Sequence, residues 1–113
     1  MDVHQRPWGE FLVLDEQPGF KVKRITVNPG QRASLQSHRH RHEHWTVVTG
    51  ILTVVVDERT MTLGAGQSLD IPFGARHRPE NNSGAPASFI EIQFGDYLGE
   101  DDIIRHADDY GRN

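Results

Sequence analysis

A chain of 113 residues is long enough for one hydrophobic core and too short for a second. With 25% charged residues and a formal net charge of -4, its composition argues against general affinity for nucleic acid, local basic clusters aside, and no run approaches the roughly 18 apolar residues of a membrane span. The absence of cysteine excludes disulfides and thiolate metal sites, so any metal must be held by imidazole, carboxylate or amide groups. The N-terminal MDVHQRPWGEF has neither the basic start nor the apolar stretch of a signal peptide, which makes the cytoplasm the expected compartment.

In chain order, short strand-like runs alternate with turn signals. Residues 11–14 precede Gln17-Pro18-Gly19, 20–27 precede Asn28-Pro29-Gly30, and 45–49 end at Gly50. Residues 51–56 end at Asp57-Glu58-Arg59, 60–63 at Gly64-Ala65-Gly66, 68–71 at Pro72-Phe73-Gly74, and 88–94 at Gly95. Runs of this length, rich in β-branched residues and punctuated by Gly and Pro, predict an all-β sandwich or barrel in a single domain. The barrel is expected over about residues 20–96, with an N-terminal arm at 1–19 and a tail at 97–113. The acidic stretch 98–110 is expected either to form a short helical turn or to wrap the barrel.

Two blocks carry the chemistry. The first, GQRASLQSHRHRHEHWTVVTG, spaces Gly30, Gln36, His38, Glu43 and Gly50. The second, GQSLDIPFGARHRPEN, spaces Gly66, Pro72, Gly74, His77 and Asn81. Their spacing resembles the two motifs of the cupin superfamily, G-x5-H-x-H-x3-4-E-x6-G and G-x5-P-x-G-x2-H-x3-N, with Gln36 in place of the first histidine. That resemblance implies a double-stranded β-helix, the cupin jelly-roll barrel.

Strand geometry supports the same grouping. Side chains alternate between faces, so Gln36 and His38 project to one side. Glu43 begins the returning strand, and His77 follows a turn at Pro72-Phe73-Gly74. Gln36, His38, Glu43 and His77 can then converge on one divalent metal ion: zinc first, with Mn, Fe, Ni or Co as alternatives. Gln36 could instead orient a ligand from outside. His40 shares the strand parity of His38 and is the rival ligand; His42 and His44 flank Glu43 and are expected at the surface.

A closer resemblance covers nearly the whole chain. Arg6-Pro7-Trp8-Gly9, Ser34-Leu35-Gln36, Glu43-His44-Trp45, His77-Arg78, Ile90-Glu91-Ile92-Gln93, Tyr97-Leu98-Gly99-Glu100-Asp101-Asp102-Ile103 and Asp109-Tyr110-Gly111-Arg112 are similar to the C-terminal cupin domain of type II mannose-6-phosphate isomerases. In many of those proteins this domain follows a mannose-1-phosphate guanylyltransferase domain; here it is read as standing alone. Type I mannose-6-phosphate isomerases share a Gln-x-His pair of metal ligands, which by resemblance supports Gln36 with His38. Arg39 and His42 depart from the family pattern His-His-His-Arg-Ala-Glu-His-Trp.

The resemblance implies interconversion of mannose 6-phosphate and fructose 6-phosphate through a cis-enediol. Such a reaction needs a metal or other cation for the developing negative charge, a base for the proton, and cations for the phosphate. Lys23, Glu91 and His40 are the candidate bases. Lys21, Lys23 and Arg78 are the candidate phosphate contacts, with Arg41 behind them. If Ile25 and Val27 face inward, so does Lys23, and a buried lysine needs an anionic partner such as Glu91 or a phosphate. If instead Ile90 and Ile92 face inward, Glu91 is merely exposed. The alternatives are a sugar-phosphate-binding cupin without catalysis and, behind it, an Fe-dependent dioxygenase. A homodimer is expected, as small cupins commonly pair through sheet edges; neither a nucleic acid nor a membrane is an expected partner.

Overall fold

Alternation of inward and outward side chains builds two antiparallel sheets. The structure, a computed structural model, describes residues 2–112. Its strands are β1 (Val3–Arg6), β2 (Gly9–Gln17), β3 (Phe20–Val27), β4 (Leu35–Ser37), β5 (Arg41–Thr49) and β6 (Leu52–Val56). They continue as β7 (Arg59–Leu63), β8 (Ser68–Ile71), β9 (His77–Glu80), β10 (Ala87–Gly95) and β11 (Ile104–Ala107). One sheet has the order β1-β2-β3-β10-β5-β8 and the other β11-β4-β9-β6-β7. Packed face to face, they form the expected jelly roll. Among the described residues, no helix is long and apolar enough to cross a membrane.

The arm and the tail are part of these sheets rather than additions to them. β2 pairs with β3 along its whole length, and β11 of the tail pairs with β4. Residues 98–110 contain turns and β11 but no helical turn.

The core is graded along the barrel axis. On β3 the inward row runs Val27, Ile25, Lys23, Lys21; on β10 it runs Ala87, Phe89, Glu91, Gln93; on β5 it runs Val47, Trp45, Glu43, Arg41. Registers align these rows, with Phe89 opposite Ile25 and Val47, Glu91 opposite Lys23 and Trp45, and Gln93 opposite Lys21 and Glu43. One end of the barrel is therefore a dry core of Val27, Val47, Leu52, Val54, Ala87 and Phe89. The other end is lined by buried ionisable groups, which require mutual pairing to be tolerated there. Phe89 is fully buried at the boundary and stacks on Trp45 at 4.4 Å between ring centroids.

Gly95 sets the corner next to the polar end. A Cβ at this position would collide with the carbonyl oxygen of His40. Glycine therefore lets the backbone at 40–41 press against the end of β10 and fixes where β5 begins.

Candidate metal centre and cavity

Three donors meet at the polar end. The carboxylate of Glu43 lies 3.5 Å from His38 Nε2 and 3.7 Å from His77 Nε2. One ligand atom from each of the three lies within 4.8 Å of the others, and all three residues are buried. Both imidazoles are fixed through their other nitrogen. His77 Nδ1 donates to the Ala75 carbonyl at 2.9 Å, and His38 Nδ1 donates to the Asp102 carbonyl. These bonds select the tautomer that leaves each Nε2 unprotonated within 3.7 Å of the Glu43 carboxylate, the state a metal-binding histidine needs. Burial holds His38 down at about 4, so it is neutral at physiological pH. Burial alone would raise the Glu43 carboxyl, but His77, Arg41 and His38 outweigh it and hold the group well below the usual carboxylate range. A neutral-imidazole and carboxylate set of this kind fits a divalent ion such as zinc, manganese or iron.

The backbone around His38 is clamped from two sides. Its carbonyl accepts from Gly74 N at 3.0 Å, so the Pro72-Phe73-Gly74 turn of the second motif buttresses the first. Asp102 of the tail accepts from the amides of Arg39 and His40 at 3.1 and 2.9 Å. Trp45 Nε1 donates to Glu43 at 2.9 Å. Arg41 donates through Nε to the other Glu43 oxygen at 2.7 Å and through Nη2 to His38 Nε2 at 3.1 Å. His38 Nε2 has one lone pair, so a metal at this position requires that second contact to be released.

A cavity of about 140 Å³ opens beside the three donors. Gln36 and Glu91 line it with His38, Trp45 and His77. Gln36 sits directly opposite His77 in register, on the same face, with its amide nitrogen 3.4 Å from the Ser34 carbonyl. Glu91 points inward and is buried, with Gln93 Nε2 donating to it at 2.7 Å. Burial, followed by the nearby Glu43 charge, pushes the Glu91 carboxyl well above the usual range. Lys23 also lines the cavity; its ammonium meets Glu100 at 2.5 Å rather than Glu91.

Three candidates lie elsewhere. β4 ends at Ser37 and residues 38–40 turn, so strand alternation stops and His40 does not share the face of His38. His40 is exposed and sets its ring against Tyr97 at 5.8 Å. Lys21 lies on the inward row but beyond the cavity, donating to the Leu98 carbonyl at 2.7 Å. Arg78 follows His77 on β9 and so faces away from the cavity, where its Nε donates to the Ala33 carbonyl at 3.0 Å. His42 is exposed between Phe73 and Phe94, and His44 bonds Asp70 at 2.7 Å.

Sequence reasoning missed the roles of Arg41, Trp45, Asp102 and Glu100. Arg41 and Trp45 share strand parity with Glu43, a signal that was present. Asp102 and Glu100 arrive from a tail more than 60 residues away, for which no local pattern exists.

Comparison with known proteins agrees with the fold. The profile of the family described as "Mannose-6-phosphate isomerase C-terminal" matches residues 1–108. The chain belongs to that family. It is 50% identical over 107 residues to the xanthan biosynthesis protein XanB of Xanthomonas campestris, covering 95% of this chain and 23% of that protein. It is 48% identical over 107 residues to mannose-1-phosphate guanylyltransferase of Escherichia coli K12, covering 95% of this chain and 22% of the relative. The domain thus spans under a quarter of the length of these curated relatives. Among solved structures, a cupin-superfamily sugar phosphate isomerase from Silicibacter pomeroyi superposes with a TM-score of 0.70 at 26% identity, over 77% of this chain and 59% of that one. Oxalate decarboxylase of Lactobacillus farciminis gives 0.81 at 22% identity over 93% and 33%, a likeness of fold.

Proposed function

We propose that this cupin domain is a metal-dependent aldose–ketose isomerase that interconverts mannose 6-phosphate and fructose 6-phosphate. The observation that carries the reading is the buried Glu43 carboxylate flanked by two imidazoles, each locked through Nδ1 so that Nε2 faces it. His38, Glu43 and His77 would hold the ion, with Gln36 on the adjoining wall, and zinc is the first choice. Bound there, a divalent ion supplies Lewis-acid stabilisation of charge developing on substrate oxygens.

The other roles fall to the chain itself. Glu91 lies in the cavity wall with its carboxyl raised, so its carboxylate form is basic enough to take the proton from one substrate carbon and, once protonated, to return it to the adjacent carbon. Gln93 orients Glu91 through Nε2. Trp45 and Arg41 fix the two Glu43 oxygens. The apolar wall of Trp8, Phe11, Ile25 and Phe89 shields the reacting carbons of the open-chain sugar from water. His40 takes no part from its exposed position.

Metal-loaded protein incubated with mannose 6-phosphate should yield fructose 6-phosphate in a coupled assay. Absence of turnover with each of Zn, Mn, Co, Fe and Ni overturns the proposal. One contact favours a second reading, a sugar-phosphate-binding domain without catalysis: Arg41 already places a cation on His38 Nε2. That reading predicts stabilisation by mannose 6-phosphate in chelator-treated protein, with no turnover under any metal.

A further inference from the structure

Five cationic side chains line the cavity: Arg6, Lys23, Arg41, Arg105 and Arg112. Arg41 is committed to Glu43, and Arg112 is held by Asp108 through Nε at 3.0 Å and Nη2 at 2.8 Å. Arg6 and Arg105 have no carboxylate within ion-pair distance among the described residues. Arg6 lies over the Phe11 ring at 5.0 Å, and Lys23 Nζ lies over the same ring at 4.2 Å, so the two cations crowd one aromatic side chain. Arg105 enters from β11, opposite Gln36 in register, which places it beside the metal-ligand wall.

Lys23 is the telling member. Its side chain is 6% exposed, and its partner Glu100 is a tail residue whose own side chain is 52% exposed. Glu100 reaches inward with one oxygen and has no other hydrogen bond among the described residues. A buried ammonium needs an anion, but this one is attached by a single contact from the solvent side. A phosphate monoester carries more charge and three equivalent oxygens, enough for one ammonium and two guanidinium forks at once.

We propose that Lys23, Arg6 and Arg105 form the subsite for the substrate's phosphate group, and that Glu100 is its internal placeholder, displaced toward solvent when the phosphate enters. The choice of a phosphate monoester rests on the sugar-phosphate reading above. Binding at the subsite, however, is measurable without turnover and without metal.

The test uses inorganic phosphate as probe, titrated calorimetrically into chelator-treated protein so that no metal contributes to binding. Lys23→Met and Arg105→Ala should each weaken binding roughly tenfold or more, as loss of a charge-assisted contact does. Glu100→Gln should tighten it several-fold by removing the competing charge. Arg6 and Arg105 lie at exposed positions, so Arg6→Ala and Arg105→Ala keep the test independent of any folding defect in the Lys23 variant. With metal restored, Arg105→Ala should raise KM for mannose 6-phosphate about tenfold while kcat changes little. Phosphate affinity unchanged in both Arg6→Ala and Arg105→Ala, or weakened in Glu100→Gln, overturns the subsite. If the binding pattern appears without any isomerase turnover, the subsite stands and the isomerase reading falls. If turnover appears but KM is indifferent to Arg6 and Arg105, the subsite falls and the isomerase reading stands.

Discussion

His38 is held at three points: Nδ1 by the tail carbonyl of Asp102, its own carbonyl by Gly74, and Nε2 by Arg41. Glu43 is similarly fixed at both oxygens. Such outer contacts set the direction of ligand lone pairs, and their loss typically lowers metal affinity 10–100-fold. Trp45→Phe keeps the stacked ring against Phe89 but removes the indole N–H. It should weaken zinc affinity about tenfold in a competition titration with a chromophoric chelator, leaving the fold intact by circular dichroism. Glu91→Gln should leave metal affinity near wild type and lower isomerase kcat by a factor of about 10² or more, as removal of a general base does. At this scale the sequence was informative where spacing alone decides. His38, Glu43 and His77 fall on the two motifs and meet in space. His40 lies apart from them because β4 ends at Ser37 and the chain turns, so strand parity does not carry past that point.

At the scale of elements, the jelly roll was legible because nearly every strand is bounded by Gly, Pro or Asn/Asp turn chemistry. What alternation could not decide was which face of β10 is inward, since Ile90, Ile92 and Phe94 alternate with Glu91 and Gln93. Tertiary context reverses the usual rule there: the polar row lines the cavity, and the isoleucines lie half-buried on the outer face. The corner at Gly95 gives an element-level prediction. Gly95→Ala forces the His40 carbonyl away from β10 and should cost about 1–3 kcal/mol, the usual range for overpacking, read by urea denaturation. The tail gives another. Arg112, through its hydrogen bonds to the carboxylate, holds Asp108 down at about 2 against an ordinary 3.8. A depressed carboxylate contributes stability that is present above its unfolded pKa and is lost as pH falls through the folded value. Stability of the wild type should therefore drop between about pH 4 and pH 2 more steeply than that of Asp108→Asn, measured by denaturant midpoints across that window.

For the molecule as a whole, the grading of the barrel from dry core to polar end divides labour along one axis. The apolar half secures the fold: Phe89→Ala, which empties the centre of three strands, should cost about 3–5 kcal/mol. The polar half is stabilised by whatever binds there, so metal should raise the melting temperature in proportion to the logarithm of its concentration above Kd.

The bond from His38 Nδ1 to the Asp102 carbonyl would couple the tail that begins at Asp102 to an ion held by His38. Any ion that needs His38 held in place must favour the docked tail, and by reciprocity the docked tail must favour the ion by the same factor. A protease that cuts between Gly95 and Asp102 only when the tail lifts should slow on metal addition. The nicked or shortened chain should in turn release its metal faster, so occupancy of a site deep in the barrel is written into the digestion rate of a peptide on its outside.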